Sequence, residues 1–426
     1  MPKRVQPAVR AEGLLRSDRD FRWYWAGQSL SLVGTQVSAI AMPLIAALTL
    51  DAGAGGVSAV ATAAFLPNLL FPLLVGHWLE GRPKRRLMVF ADIGRAVLIG
   101  SVPVAYLADA LSLQLLIGVA FAIGTASVAF DIAGFAYLPT FVDEDRLPEA
   151  NRAIQGSATV AQVAGPGLGG MLVQLLGAPL AAAADAVGYL ASAFGIARAR
   201  GPETHVQSER QGRALDGIRL LISSVYLRAL TMHASIYNAA SQVLTVNLVI
   251  WAVQDRDVSA GMYGLALSAG GVGAFAGTMT ALRLAERHGY GRAFAASLVL
   301  SAGTPLLIPL LPFEQAALGL ALAAIELVAG IGLGSANVLS TTLRQIIIPR
   351  DQLARTTGGY RLLMYGSIPV GSALGGLLGE TLGSRAGVAV GTIGMVLSAL
   401  PMLNRGVRTL RNPRDAVIGA RTTATA

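Results

Sequence analysis

Long apolar runs, broken by short charged or Gly/Pro-bearing segments, recur along the whole chain. A bilayer core about 30 Å thick is crossed by about 20 residues of helix, so runs of this length predict membrane spans. Twelve fall at 21–50, 57–80, 87–107, 113–140, 151–175, 180–198, 227–253, 260–283, 292–311, 315–346, 356–381 and 386–404. The predicted class is an all-α membrane protein. Several runs exceed the minimum and should tilt or protrude.

Composition removes the alternatives. Only 13% of the 426 residues are charged and 54% are hydrophobic, whereas soluble domains carry about 25% charge. The 50 glycines lie inside apolar runs without a three-residue period, which excludes collagen and coiled coil. With no cysteine, disulfides, thiolate metal sites and cysteine nucleophiles are absent. The first 20 residues are too charged for a cleavable leader, so the first span is expected to be a permanent anchor.

The formal charge of +9 would suggest nucleic acid in a soluble chain. Its distribution points elsewhere. With twelve spans, Arg256 and Arg385 occupy loops on one side and Arg95 lies within the third span. All the remaining Lys and Arg collect in the tails, in loops on the other side or at helix ends. By the positive-inside pattern both termini are expected to be cytoplasmic, in an inner membrane.

The chain also repeats itself. An ungapped offset of 206 residues brings Arg22 onto Arg228, Gln36 onto Gln242, Glu80 onto Glu286, Asp145 onto Asp351, and Gly165, Gly169 and Gly170 onto Gly371, Gly375 and Gly376. Charges and glycines held in one register imply two six-helix halves. These are residues 1–198 and 227–404, with a polar linker at 199–226 and a tail at 405–426. Parallel six-helix repeats around a central cavity are a rocking-transporter architecture.

Four segments carry a family resemblance: FRWYWAGQSLSLVG opening the first span, the loop after the second, FVDEDRLPEANRAIQ, and GPGLGG in the fifth. In these the chain resembles the major facilitator superfamily, and within it a bacterial exporter branch containing macrolide-efflux and enterobactin-export proteins. The resemblance implies a secondary transporter of small molecules, with spans 1, 4, 7 and 10 lining the cavity.

It also implies a gate loop between spans 2 and 3, here Gly76, Glu80, Arg82, Arg85 and Arg86. In the family an acid at the Glu80 position meets the positive pole of the eleventh helix, at Thr356, Thr357 and Gly358 in this sequence. Glu80 replaces the usual Asp and Gly81 the usual basic residue. Asp92 and Arg95 follow at an i, i+3 spacing that can pair them. Gly165, Pro166, Gly169 and Gly170 resemble the fifth-helix signature of antiporters, with Ala161 in place of its first glycine. That implies export in exchange for a cation.

Charges within spans are functional candidates by default. Glu326 sits near the middle of the tenth span, and Asp131 in the fourth; these are the expected proton-coupling acids. Polar residues recur at helical spacing in the first span (Gln28, Ser31, Thr35) and the seventh (Asn238, Gln242), and Asn337 shares a helical face with Glu326. This largely neutral lining, with Trp25, Tyr237 and Trp251 nearby, suits an amphipathic solute. Asp185 is expected to be structural, and Arg344 and Arg361 to face solvent or lipid.

No nucleophile motif, P-loop or cluster among His77, His205, His233 and His288 supports an enzyme, a resident metal or cofactor, or ATP-driven pumping. The expected partners are a small-molecule substrate, protons and the lipid bilayer, with no nucleic acid and a monomeric carrier. The alternatives are uptake of a small metabolite, or a channel or receptor.

Overall fold

Polar caps fix where the helices begin. Asp18 accepts hydrogen bonds from the backbone N–H groups of Asp20 and Phe21, both at 2.9 Å, and starts α1 (Arg19–Leu44). Ser224 caps α7 (Val225–Val249) by accepting from the Leu227 N–H. Ser112 and Ser259 do the same for α4 (Leu113–Phe141) and α8 (Ala260–His288). Each cap satisfies an N–H that the helix itself leaves open.

The computed structural model describes residues 14–72, 74–75, 82–143, 146–199, 214–348 and 352–403. The remaining helices are α2 (Ala54–Leu70), α3 (Lys84–Leu107), α5 (Leu147–Leu176), α6 (Ala183–Arg198) and α9 (Tyr290–Leu298). They are followed by α10 (Gln315–Ile347), α11 (Leu353–Leu382) and α12 (Ser384–Leu397). α1 and α7 each run on through a π-helical turn, Ile45–Thr49 and Ile250–Gln254, and α9 extends through irregular turns to Leu310. Among the described residues eleven helices are long and apolar enough to cross a bilayer, and α2 is a shorter apolar helix. Residues 76–81, at the expected end of the second span, lie outside the described residues.

The repeat is written into the backbone. Asp51 and Asp257 have φ of 47° and 54°, Asp109 and Gln315 have 52° and 50°, and Gly177 and Gly383 have 84° and 86°; within each pair the residues are 206 apart. Left-handed backbone is uncommon for residues other than glycine. Its recurrence at matched positions means that corresponding turns in the two halves are built alike. One feature differs from the sequence expectation: the end of the polar linker folds as a helix, Ala214–Ser223, whose Leu221 is buried with Leu227, Ile348 and Tyr360.

Counting α2 with the eleven, successive apolar helices alternate in direction, so the start of α1 and the end of α12 share one face, here termed the terminal face. On the far face the halves are bound together. Gly170 abuts Gly264 and the Ala260 carbonyl, and the Gly167 N–H donates to Ser268 Oγ at 2.8 Å, which joins α5 to α8. The matching positions join α11 to α2: Gly376 lies against Ser58, whose hydroxyl donates to the Ser372 carbonyl at 2.7 Å. At the tips, the side chains of Gln174 and Glu380 lie against Gly261 and Gly55, at the N-terminal turns of α8 and α2. Glu380 thus brings negative charge to a positive helix pole. Toward the terminal face Gly156 of α5 and Gly358 of α11 face open space.

The tightest contact within a half joins α8 to α10. Gly273 and Gly277 lie on the backbone of Leu327 and Ile331, and Gly330 and Gly334 lie on that of Gly270 and Ala274. Lipid tails are as apolar as leucine, so membrane helices gain association from such close backbone packing. Gly334→Leu should therefore destabilise the protein by about 1–3 kcal/mol or more through overpacking. Gly94→Leu, placed where a Cβ meets nothing, should leave thermal unfolding in detergent nearly unchanged. Equal melting temperatures for the two variants would contradict this account.

Candidate functional site

The first half holds a buried polar network between α1, α3, α4 and α6. The i, i+3 spacing on α3 brings Arg95 onto Asp92, and the two form an ion pair. Both are buried, Asp92 at 0% and Arg95 at 6% exposure. Ser192 of α6 donates to the other Asp92 oxygen at 2.5 Å, and Gln28 of α1 donates to Ser192 Oγ at 2.7 Å. The Arg95 guanidinium lies between the rings of Phe130 and Tyr189, 4.1 and 4.3 Å from their centroids, and also donates to Ser127 Oγ. Hydrogen bonds and ring faces thus replace the water that a charge pair loses on burial.

Several sequence candidates are drawn into this network. Gln28 points to α6, Ser31 is buried against Gly188, and Thr35 donates to Asp185 Oδ1 at 3.4 Å. Asp185 is 2% exposed at the α1–α6 contact, where Gly34 packs directly on its backbone. Asp131 is exposed, and the cations facing it are Arg95 and Arg361. Arg361 is exposed and also lies in the field of Asp131, whereas Arg344 is half-buried and stacks on the Tyr360 ring at 3.7 Å in place of the expected solvent or lipid contact.

The gate-loop residues divide. Gly76 and Glu80 lie outside the described residues. Arg82 and Arg86 are exposed, and Arg85 donates to the carbonyls of Ile196 and Ala197. Those are terminal carbonyls of α6, which helical bonding leaves open. The α5 glycines meet two helices: Gly165 and Gly169 lie on Gln36, Val37 and Ile40 of α1, whereas Gly170 and the Pro166 carbonyl face α8.

The second half holds a cavity of about 420 Å³. Glu326, Asn337 and Asn238 line it together, as does Tyr237. Gln242 is half-buried and outside the lining, and Trp251 is buried in the core. Trp25 belongs to a separate groove beside α5, where its indole N–H donates to the Ala153 carbonyl at 3.2 Å. Glu326 is half-buried, its carboxylate is directed at Gly270, and among the described residues no cation faces it. Tyr237 and Tyr263 lie within its field.

His233, Tyr263, Ser241 and Ser301 also line this cavity and were missed by helical spacing alone. The repeat could have found two of them, since Ser241 and Ser301 stand 206 residues after Thr35 and Arg95.

Removing one partner of a buried ion pair costs about 3–5 kcal/mol, because the other charge is left uncompensated. Arg95→Met should therefore lower the melting temperature more than the double variant Asp92→Asn/Arg95→Met. A double variant no more stable than the single one would show that the pair does not act as a unit.

A family model described as "Transmembrane secretion effector" matches residues 15–417. The MFS-type transporter YvqJ of Bacillus subtilis (strain 168) is 22% identical over 82% of this chain and 84% of its own length. The multidrug efflux pump Tap of Mycolicibacterium fortuitum is 26% identical over 89% of this chain and 92% of its own. Among solved structures, a bacterial homologue of the iron transporter ferroportin in its inward-facing state superposes with a TM-score of 0.74 at 16% identity. That match covers 92% of this chain and 99% of that one. The outward-facing state of such a homologue gives 0.57 at 17% identity, over 90% and 98%. With its apolar helices in two matched halves and a family model spanning nearly its full length, the chain belongs to the transmembrane secretion effector family, multi-pass transporters of the major facilitator superfamily.

Proposed function

We propose that this protein is a proton-coupled exporter of an amphipathic small molecule, working by alternating access with Glu326 as the first coupling acid. The observation that carries the reading is a carboxyl deep in α10, with no cation beside it among the described residues, opening on a cavity whose lining mixes amides and hydroxyls with apolar side chains. Such a group can take a proton from one side and release it on the other. Asp131 is second, because Arg95 and Arg361 already face it. Efflux is supported by relatives that are multidrug pumps and by the antiporter-like run Gly165-Pro166-Gly167-Leu168-Gly169-Gly170.

On this reading the terminal face is cytoplasmic and the conformation is inward-open. The far-face contacts of α5 with α8 and of α2 with α11 support that assignment, and the higher TM-score with an inward-facing structure points the same way. The chain is naturally free of cysteine, so single cysteines report orientation directly. Asp109→Cys should react with an impermeant thiol reagent added to intact cells, and Asp143→Cys should react only after permeabilisation. The reverse pattern would overturn the topology.

Glu326→Gln mimics the protonated acid. In liposomes it should abolish uphill solute movement driven by a pH gradient while leaving downhill exchange. A Gln variant that concentrates solute at the wild-type rate would remove Glu326 from coupling. Saturation of the wild-type rate separates a carrier from a channel.

A further inference from the structure

We infer that the groove between α1 and α5 at the terminal face binds an anionic phospholipid, its phosphate held between Arg16 and Arg152 and an acyl chain laid along the groove. The groove has a volume of about 810 Å³ and shares no lining residue with the second-half cavity. Its walls are Leu14, Leu15 and Arg16 ahead of α1, one face of α1 from Trp25 to Val33, and α5 from Glu149 to Val160.

The polar atoms of the walls are satisfied by one another. The Trp25 indole N–H donates to the Ala153 carbonyl at 3.2 Å, and Ser29 donates to Ser157 Oγ at 2.8 Å, so both bonds are used in joining α1 to α5. Glu149, the acid of the lining, accepts from the Leu14 N–H at 2.6 Å and lies 3.7 Å from Arg146. Its charge is thus already answered. Arg16 and Arg152 are exposed, and among the described residues neither guanidinium makes a hydrogen bond or an ion pair. From Arg152 the groove follows α5 inward for about 12 Å of helix to Val160, which is 65% exposed.

Two unanswered cations at the head of an apolar trough select the ligand class. A soluble anion leaves the trough uncovered, and a neutral amphipath leaves the guanidinium groups without a partner. An anionic phospholipid meets both demands, since the arginine fork suits a phosphate and a hydrocarbon chain covers Trp25, Val33 and Val160. There is room for it, because a Cβ at Gly156 would meet nothing within 4 Å.

The repeat shows that the frame alone does not require these groups. At 206 residues Arg16, Trp25 and Arg152 correspond to Ile222, Thr231 and Gly358, so the second half carries the same seam without either cation or the indole. If the terminal face is cytoplasmic, as proposed above, the groove opens on the leaflet whose surface is negative. Binding itself does not depend on that assignment.

The test is native mass spectrometry of the full-length protein in detergent, titrated with dioleoylphosphatidylglycerol and with dioleoylphosphatidylcholine. One phosphatidylglycerol should bind saturably and about tenfold more tightly than the choline lipid, the order expected of two basic side chains beside an anionic lipid. Arg16→Gln/Arg152→Gln should remove that preference, whereas Arg219→Gln/Arg228→Gln, which takes the same charge from the second half, should keep it. Gly156→Trp, which fills the groove with both arginines in place, should weaken both lipids. Millimolar inorganic phosphate should not displace the lipid. Melting temperatures verify that each variant is folded. Equal affinity of the wild type for the two lipids, or an undiminished preference in the Arg16→Gln/Arg152→Gln protein, overturns the inference. So does an equal loss in the second-half variant, which would mark a general effect of surface charge, or displacement by phosphate alone, which would mark a soluble-anion site. Glu326→Gln should bind the lipid as the wild type does, so the failure of either this inference or the coupling role leaves the other standing.

Discussion

A charge in the hydrocarbon core has no water to stabilise it, and much of this structure can be read as an answer to that constraint. In the first half the answer is internal. Asp92 and Arg95 are one turn apart on α3, Ser192 donates to the acid and Ser127 accepts from the guanidinium, and Phe130 and Tyr189 lie on either side of that guanidinium. Gln28 extends this network onto α1, so four helices of one half are held around a single pair of charges. In the second half the equivalent place holds one acid and a cavity. Duplication supplied two copies of the same framework, and the halves differ in whether the frame is filled.

The second constraint is backbone proximity. Glycines put α8 against α10 within one half and against α5 of the other, on different faces of the same helix. α5 and α11 use one register for both kinds of contact: Gly165 and Gly169 lie on α1 and Gly170 on α8, and at the matched positions Gly371 and Gly375 lie on α7 and Gly376 on α2. Contacts between halves are thus made by the same kind of surface as contacts within a half. Small residues allow this without a large apolar interlock, which on the proposed alternating-access mechanism suits surfaces that separate and re-form.

Much of this was legible in the sequence, for identifiable reasons. Hydropathy locates the spans because a bilayer demands about 20 apolar residues whatever the fold, and Asp92 with Arg95 could be paired because helical geometry fixes neighbours three residues apart. Helical spacing also groups Gln28, Ser31 and Thr35 on one face, but it does not say which helix that face meets. The partner of Gln28 is 164 residues away. For the same reason Arg344 seemed free to face solvent or lipid, since its ring partner Tyr360 lies on the next helix. The linker helix Ala214–Ser223 was obscured by the charged residues before it. The unequal filling of the two halves was present in the 206-residue offset, but it becomes visible only when Arg95 is matched to Ser301 and its surroundings are known.

On the proposed mechanism, loading Glu326 must alter the contact between halves, because an equilibrium shifts only when a ligand interacts differently with its two states. Glu326 itself lies within the second half, so something must carry the effect across. α8 is placed to do so. Its Gly270 meets the Glu326 carboxylate, and the next residue, Gly271, meets Val163 and the Gln162 carbonyl of α5 in the other half. One turn and two turns away, Ser268 and Gly264 hold the far-face contact with Gly167 and Pro166. A carboxylate that gains a proton changes its demand for space and charge beside Gly270. α8 has no bulky side chain at Gly270 or Gly271, so on the proposed mechanism such a change would bear on the helix backbone and through it on α5. The glycines that let α8 pack closely on both sides also make it the element through which occupancy of one half can be felt by the other.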